Sequence, residues 1–225
     1  FLYFPWVSDT FKQKYEQNNQ SYIFEYNYKD RLIVRMGYMF NYNSAGERMA
    51  NNTIKSNSFS IRAGLESAGN VMYAISNLTK QSKNSDGEYS LLSIPYAQYV
   101  KGDFDFSRNI VIDDKNAIAY HVGVGIAVPY GNSKSIPYIK QYFSGGANSV
   151  RGWSVRELGP GSFPGDGNYL NQSGDIKFDA SIEYRSKLFW LLQGALFVDA
   201  GNIWTIKEYE NQPGGQFDIS KFYKQ

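Results

Sequence analysis

Few residues in this chain could do covalent chemistry. Cysteine is absent and His121 is the single histidine. That excludes thiolate metal sites, a cysteine nucleophile and His-rich zinc sites, and it leaves one imidazole for any Ser-His-Asp arrangement. The run Ser144-Gly145-Gly146-Ala147-Asn148-Ser149 is not followed by Gly-Lys-Ser/Thr, so it is not a phosphate-cradling P-loop. No Gly-x-Ser-x-Gly elbow occurs. No catalytic, cofactor-binding or metal site is expected. What remains is a set of carboxylates and cations at alternate positions: Lys177, Asp179, Glu183 and Arg185. Two further acids stand nearby: Asp175, which opens the same stretch, and Asp199. Such spacing positions charges; it does not assemble an acid–base pair on a helix.

The elements that carry those charges read as strands. In 175–185, Ile176, Phe178, Ala180, Ile182 and Tyr184 share one face, and every residue on the other face is polar. Alternate side chains of a strand point to opposite faces. The same period appears in 31–41, 59–67, 96–106, 117–130 and 190–201, and in Tyr22, Phe24, Tyr26 and Tyr28 ahead of a tight Lys29-Asp30 connection. His121 falls among small residues on the inner face of its strand and reads as a packed, satisfied residue. Residues 71–78 read as a short helix inside a long connection.

Composition fits this pattern. The 225 residues include 19 Tyr, 15 Phe and 4 Trp, and the net charge is +2. A near-balanced charge excludes nucleic acid as the expected partner. No stretch supplies the roughly 20 apolar residues of a spanning helix. A soluble sandwich also alternates. The strands of about 11 residues, with charges confined to one face, fit an outer-membrane barrel with lipid outside and a polar lumen inside. Seven strands are counted, with an eighth available in 1–7. Barrels of this kind have even strand numbers. The count and the abrupt ends point to a stretch of a larger barrel. Tyr28, Tyr130, Trp190 and Trp204 are candidates for interfacial girdles. Asn77-Leu78-Thr79 and Asn51-Asn52-Thr53 match a glycosylation sequon, a short pattern that arises by chance.

One connection stands apart. Residues 131–174 separate two well-formed strands, far beyond the 12–15 residues at which structureless loops become uncommon. Tyr138, Tyr142, Phe143, Val150, Trp153, Val155 and Leu158 make it too apolar for disorder. Its glycines and prolines predict a tightly folded loop with positive-φ turns.

Phe143-Ser144-Gly145-Gly146, Ser149-Val150-Arg151-Gly152-Trp153 and Leu158-Gly159-Pro160-Gly161 resemble the sixth extracellular loop of the BamA/TamA outer-membrane assembly-factor superfamily, the bacterial surface antigen family. Trp153 stands where that family has Phe or Tyr. Phe197-Val198-Asp199-Ala200-Gly201 resembles its Phe-x-Asp-x-Gly strand motif, and Gly-Asn-Ile-Trp after it is similar to the TamA-like branch of Bacteroidota. The motifs span about 137–204. The resemblance implies a sixteen-stranded barrel in the bacterial outer membrane, usually preceded by periplasmic POTRA domains, of which none is recognisable in 1–225. It implies a non-enzymatic role in inserting or translocating polypeptides, with lipid, nascent barrel proteins and other assembly subunits as partners. It also implies that Arg151 crosses the lumen to the wall. The acids on the polar faces then make Glu183 and Asp199 its expected partners, with Phe197 packing beside it. Gly152 is expected to allow close approach of the backbone, and Gly201 to leave room on the wall; Gly145, Gly146, Val150 and Trp153 complete the loop motif. A two-partner-type secretion pore shares these features, and a passive porin or adhesin shares the strands alone.

Overall fold

A computed structural model describes residues 30–45, 57–165, 172–189 and 191–224. The main sheet is antiparallel and contains β1 (Arg35–Asn43), β2 (Ser58–Ala68), β5 (Tyr99–Val111), β6 (Asn116–Pro129), β7 (Ile176–Lys187) and β8 (Gln193–Trp204), in that spatial order. Between β2 and β5 lie a helix α1 (Asn70–Leu78) and a two-residue hairpin of β3 (Ser90–Leu91) and β4 (Ile94–Pro95). Among the described residues no helix is long and apolar enough to cross a membrane. The fold is all-β and antiparallel, an open stretch of barrel wall.

Cross-strand register keeps the two faces distinct. Tyr38↔Leu65, Phe104↔Val124, Val124↔Phe178 and Ile182↔Val198 lie on one side. Glu66↔Lys101, Asp103↔Gly125, Gly123↔Asp179 and Ser181↔Asp199 lie on the other. The apolar side is uncovered: Met36 on β1 and Leu196 on β8 are 72% and 75% exposed. A slip of one residue would exchange the faces, so the pattern itself fixes the register. The described part of loop 131–174 packs against the polar side, Tyr142 on Asp103 and Arg151 on Asp199.

The true core lies at the end of the sheet from which that loop leaves. Ala68, Ala97, Tyr99, Ala127, Ile136, Tyr142 and Ile203 cluster there. Asn132 ties the loops together: its side chain donates to the carbonyls of Tyr89 (3.0 Å) and Tyr96 (2.8 Å) and accepts from the N–H of Tyr89 (2.6 Å). The Arg31–Glu88 ion pair is buried beside this cluster at 3.2 Å.

Several sequence expectations shift. The first described strand begins at Arg35 rather than residue 31, because Arg31 turns inward to Glu88 and Leu32 bridges Tyr96. Likewise β5 begins at Tyr99: Tyr96 and Ala97 are buried under the loops and leave the sheet pattern. The last strand starts at Gln193, three residues later than read. Trp204 is not a lipid-facing girdle residue. It is buried edge-to-face against Phe217, 5.4 Å between centroids, because the chain after β8 folds back over it. The Tyr22–Tyr28 strand, the possible strand in 1–7, Trp190 and the 51–53 sequon lie outside the described residues.

Candidate functional site: the loop–wall contact

The loop holds its own shape before it touches the wall. Tyr142 and Gly174 exchange both backbone hydrogen bonds, 2.8 and 2.9 Å, which closes the stem. Beyond it, Ser144 pairs with Leu158 and the Gly146 N–H donates to the Trp153 carbonyl at 2.8 Å, forming a compact lobe. Arg156 stacks over Tyr138 and Phe143 at 4.6 and 4.4 Å and fastens lobe to stem. Gly145, Gly146 and Gly152 all have φ above 90°. That backbone region strongly disfavours side chains. For Gly152 this is the whole reason for glycine. Nothing lies within 4 Å of a Cβ built there, so the expected close approach is not made.

At the lobe's tip Arg151 meets the inner face of β7 and β8. Its Nε and Nη2 donate to Oδ2 and Oδ1 of Asp199 at 2.8 and 2.7 Å, a bidentate fork, and its backbone N–H donates to Oδ2 at 2.9 Å. Nη1 donates to Glu183 Oε2 at 2.5 Å. Such pairs join charge to planar geometry. The Phe197 ring lies 3.7 Å below the guanidinium carbon, a cation–π contact. Register explains the convergence. Glu183 is opposite Phe197 and Ser181 opposite Asp199, so the two acids are diagonal neighbours on one face. The hydrogen bonds that Arg151 donates to Asp199, then to Glu183, raise its already high pKa, so the cation is permanent. The Asp199 side chain is only 3% exposed.

The other named residues sit as follows. Val150 is buried, and a Cβ on Gly201 would stand 3.0 Å from its Cγ2. Trp153 is 48% exposed. Asp179 is not an Arg151 partner; it takes Lys177 at 2.8 Å and His121 at 3.3 Å. His121 also reaches Asp105 at 3.3 Å, which makes it a bridging wall residue. Among the described residues no three His, Asp or Glu side chains are grouped to hold a metal. The Arg185 Nε donates to Glu183 at 2.6 Å, a partner that β7's alternation puts on the right face but that the sequence does not single out.

The Omp85 superfamily domain matches residues 5–221. This chain belongs to the Omp85 superfamily. Within it, the outer membrane protein assembly factor BamA of Neisseria meningitidis serogroup B is 35% identical over 97 residues, covering 39% of this chain. This Omp85 chain spans 12% of that relative's length. The crystal structure of BamA from Haemophilus ducreyi lacking POTRA domains 1–3 is similar over 77% of this chain and 43% of its own, with 17% identity and a TM-score of 0.41.

Asp175, at the foot of the Omp85 loop and just outside β7, is buried, and burial pushes its carboxyl up to about 6 against the opposing Ile206 N–H and Lys207. A carboxyl raised above its unfolded value favours folding when protonated. The contribution of Asp175 to stability is therefore full below about pH 4, falls between about 4 and 6, and stays lower above; two units correspond to about 3 kcal/mol. Asp175→Asn is expected to raise the melting temperature at pH 7.5 and to flatten the difference between pH 7.5 and 5. Thermal melts in detergent at the two pH values check this.

Proposed function

We propose that the chain is one stretch, residues 1–225, of a sixteen-stranded barrel in the bacterial outer membrane that inserts nascent β-barrel proteins or translocates polypeptides without enzymatic chemistry. Loop 131–174 lies inside the lumen, and Arg151 braces it against Glu183 and Asp199. The motif residues Gly145, Gly146, Val150, Gly152 and Trp153 shape the tip, and Phe197 and Gly201 receive it. The observation that carries this reading is the bidentate Arg151–Asp199 fork on the polar face, facing away from an uncovered apolar one. A passive pore needs no such fixed strut. Superfamily membership supports an outer-membrane setting, and the Gly-Asn-Ile-Trp phrase favours the TamA-like branch. Lipid meets the apolar face; unfolded strands and other assembly subunits are the expected polypeptide partners. An opened barrel offers free strand edges on which an incoming strand can form.

Conditional depletion of the full-length protein tests the function. Coordinate loss of many outer-membrane barrel proteins is expected. Loss of one exported protein would assign a two-partner-type secretion pore instead, and an unchanged outer-membrane protein profile overturns both.

A further inference from the structure

The loop touches the wall at a second place, three strands from the Asp199 contact, about 14 Å at ordinary strand spacing. Tyr142 is 8% exposed, and its hydroxyl donates to Asp103 Oδ1 on β5 at 2.7 Å, with the Gly102 carbonyl at 3.2 Å. The ring occupies the place where Gly125 of β6 has no side chain. A Cβ there would stand 2.5–2.6 Å from the Tyr142 Cζ, Cε1 and Oη atoms. Lys101 closes the ring's other side, with Nζ 3.9 Å from the centroid and donating to the Lys140 carbonyl at 3.1 Å. Lys140 in turn pairs with Glu66 on β2 at 2.8 Å, and Glu66 also accepts from Tyr99 at 2.6 Å. Burial, then Asp103, push the phenol's pKa up, so it remains a donor at every relevant pH.

We propose that Tyr142, seated in the Gly125 slot and held by Asp103, is a positioning residue that aims the Arg151 tip at β7 and β8. Tyr142 also forms the backbone pair with Gly174 that closes the loop stem, so one residue fixes where the lobe leaves the wall. The lobe between Ser144 and Leu158 is internally bonded and travels as a unit. Its tip must cover four residues along the strands and three strands across, and freedom at the stem is magnified there. This inference deepens the proposed lumen strut and rests on it for its functional meaning.

The test reads the tip's position directly. Spin labels go on cysteines at Asn148, exposed in the lobe, and Asp114, exposed in the β5–β6 turn, in the full-length protein; this stretch contributes no other cysteine. The expected distance distribution is narrow in the parent. It broadens in Tyr142→Ala to the width seen with Arg151→Ala, and Tyr142→Phe, which keeps the ring in its slot, falls between. Gly125→Ala broadens it as well, yet adds nothing on top of Tyr142→Ala. If Gly125→Ala does not assemble, the two Tyr142 variants decide. A parental width in Tyr142→Ala overturns the proposal. A displaced tip with intact assembly activity leaves the positioning role standing and overturns the functional reading of the strut.

Discussion

Arg151→Ala is expected to destabilise the loop–wall contact by about 3 kcal/mol, the lower end of the 3–5 kcal/mol range for deleting one member of a buried pair. The lower end applies because the Arg151 side chain keeps 27% of its exposure while Asp199 keeps 3%. The acid suffers most: it loses three donors, two from the guanidinium and one backbone N–H whose position depends on the same tip. Arg151→Lys retains the charge but not the fork, and one ammonium cannot serve Asp199 as a flat bidentate partner while reaching Glu183. It should recover only part of the loss. Combining Arg151→Ala with Asp199→Asn should be markedly less than additive, because the stranded charge is gone. Melting of the detergent-solubilised protein, followed by heat-dependent electrophoretic mobility, gives these three values and that of Asp199→Asn alone, which completes the cycle. An exposed pair would be worth only about 0–1 kcal/mol; a loss that small would remove the case for a lumen strut.

Gly201→Ala is expected to cost about 1–3 kcal/mol through overpacking. Its added Cβ would lie 2.7 Å from the Phe178 carbonyl oxygen and 3.0 Å from the Asp179 Cα, both backbone atoms of β7, as well as 3.0 Å from Val150. No rotamer change clears a backbone atom, so β7 and β8 must part where the Arg151 acids stand. Gly123→Ala provides the contrast. There the new Cβ meets Asp179 oxygens at 3.1 Å and His121 Cε1 at 3.2 Å, side-chain atoms that can give way. Its cost should be smaller, and Val150→Ala should rescue Gly201→Ala only in part. Chemical denaturation of the three variants against the parent ranks them; equal costs at the two glycines would contradict the backbone argument.

These residues also show which parts of the molecule were legible in sequence. The β7 alternation places Glu183 on the polar face and Tyr184 on the other without any partner strand, because period two is local. The acids' neighbours follow once β8 is read in the same way, since register is set by keeping the faces matched. Tyr142 and Gly125 were not legible as a pair. Their contact depends on where a 44-residue loop folds back, and a glycine on a face of small residues looks like any other. The β3–β4 hairpin escaped for a different reason. Its turn places Leu92 and Ser93 at φ 50° and 65°, a conformation that sequence reading expects of Gly or Asn. Arg31 was read into a strand because its neighbours alternate; a buried ion pair to a residue 57 positions away overrides that local pattern.

Both backbone groups of Ile203 are already engaged: its N–H donates to Oδ1 of the preceding β8 residue, Asn202, at 2.8 Å, and its carbonyl accepts from the N–H of loop residue Gly161 at 2.7 Å. The far flank of β8 therefore has a built-in stop near that residue. A strand docking along that flank can zip only as far as Gly201 before it finds the donor spent and the acceptor occupied.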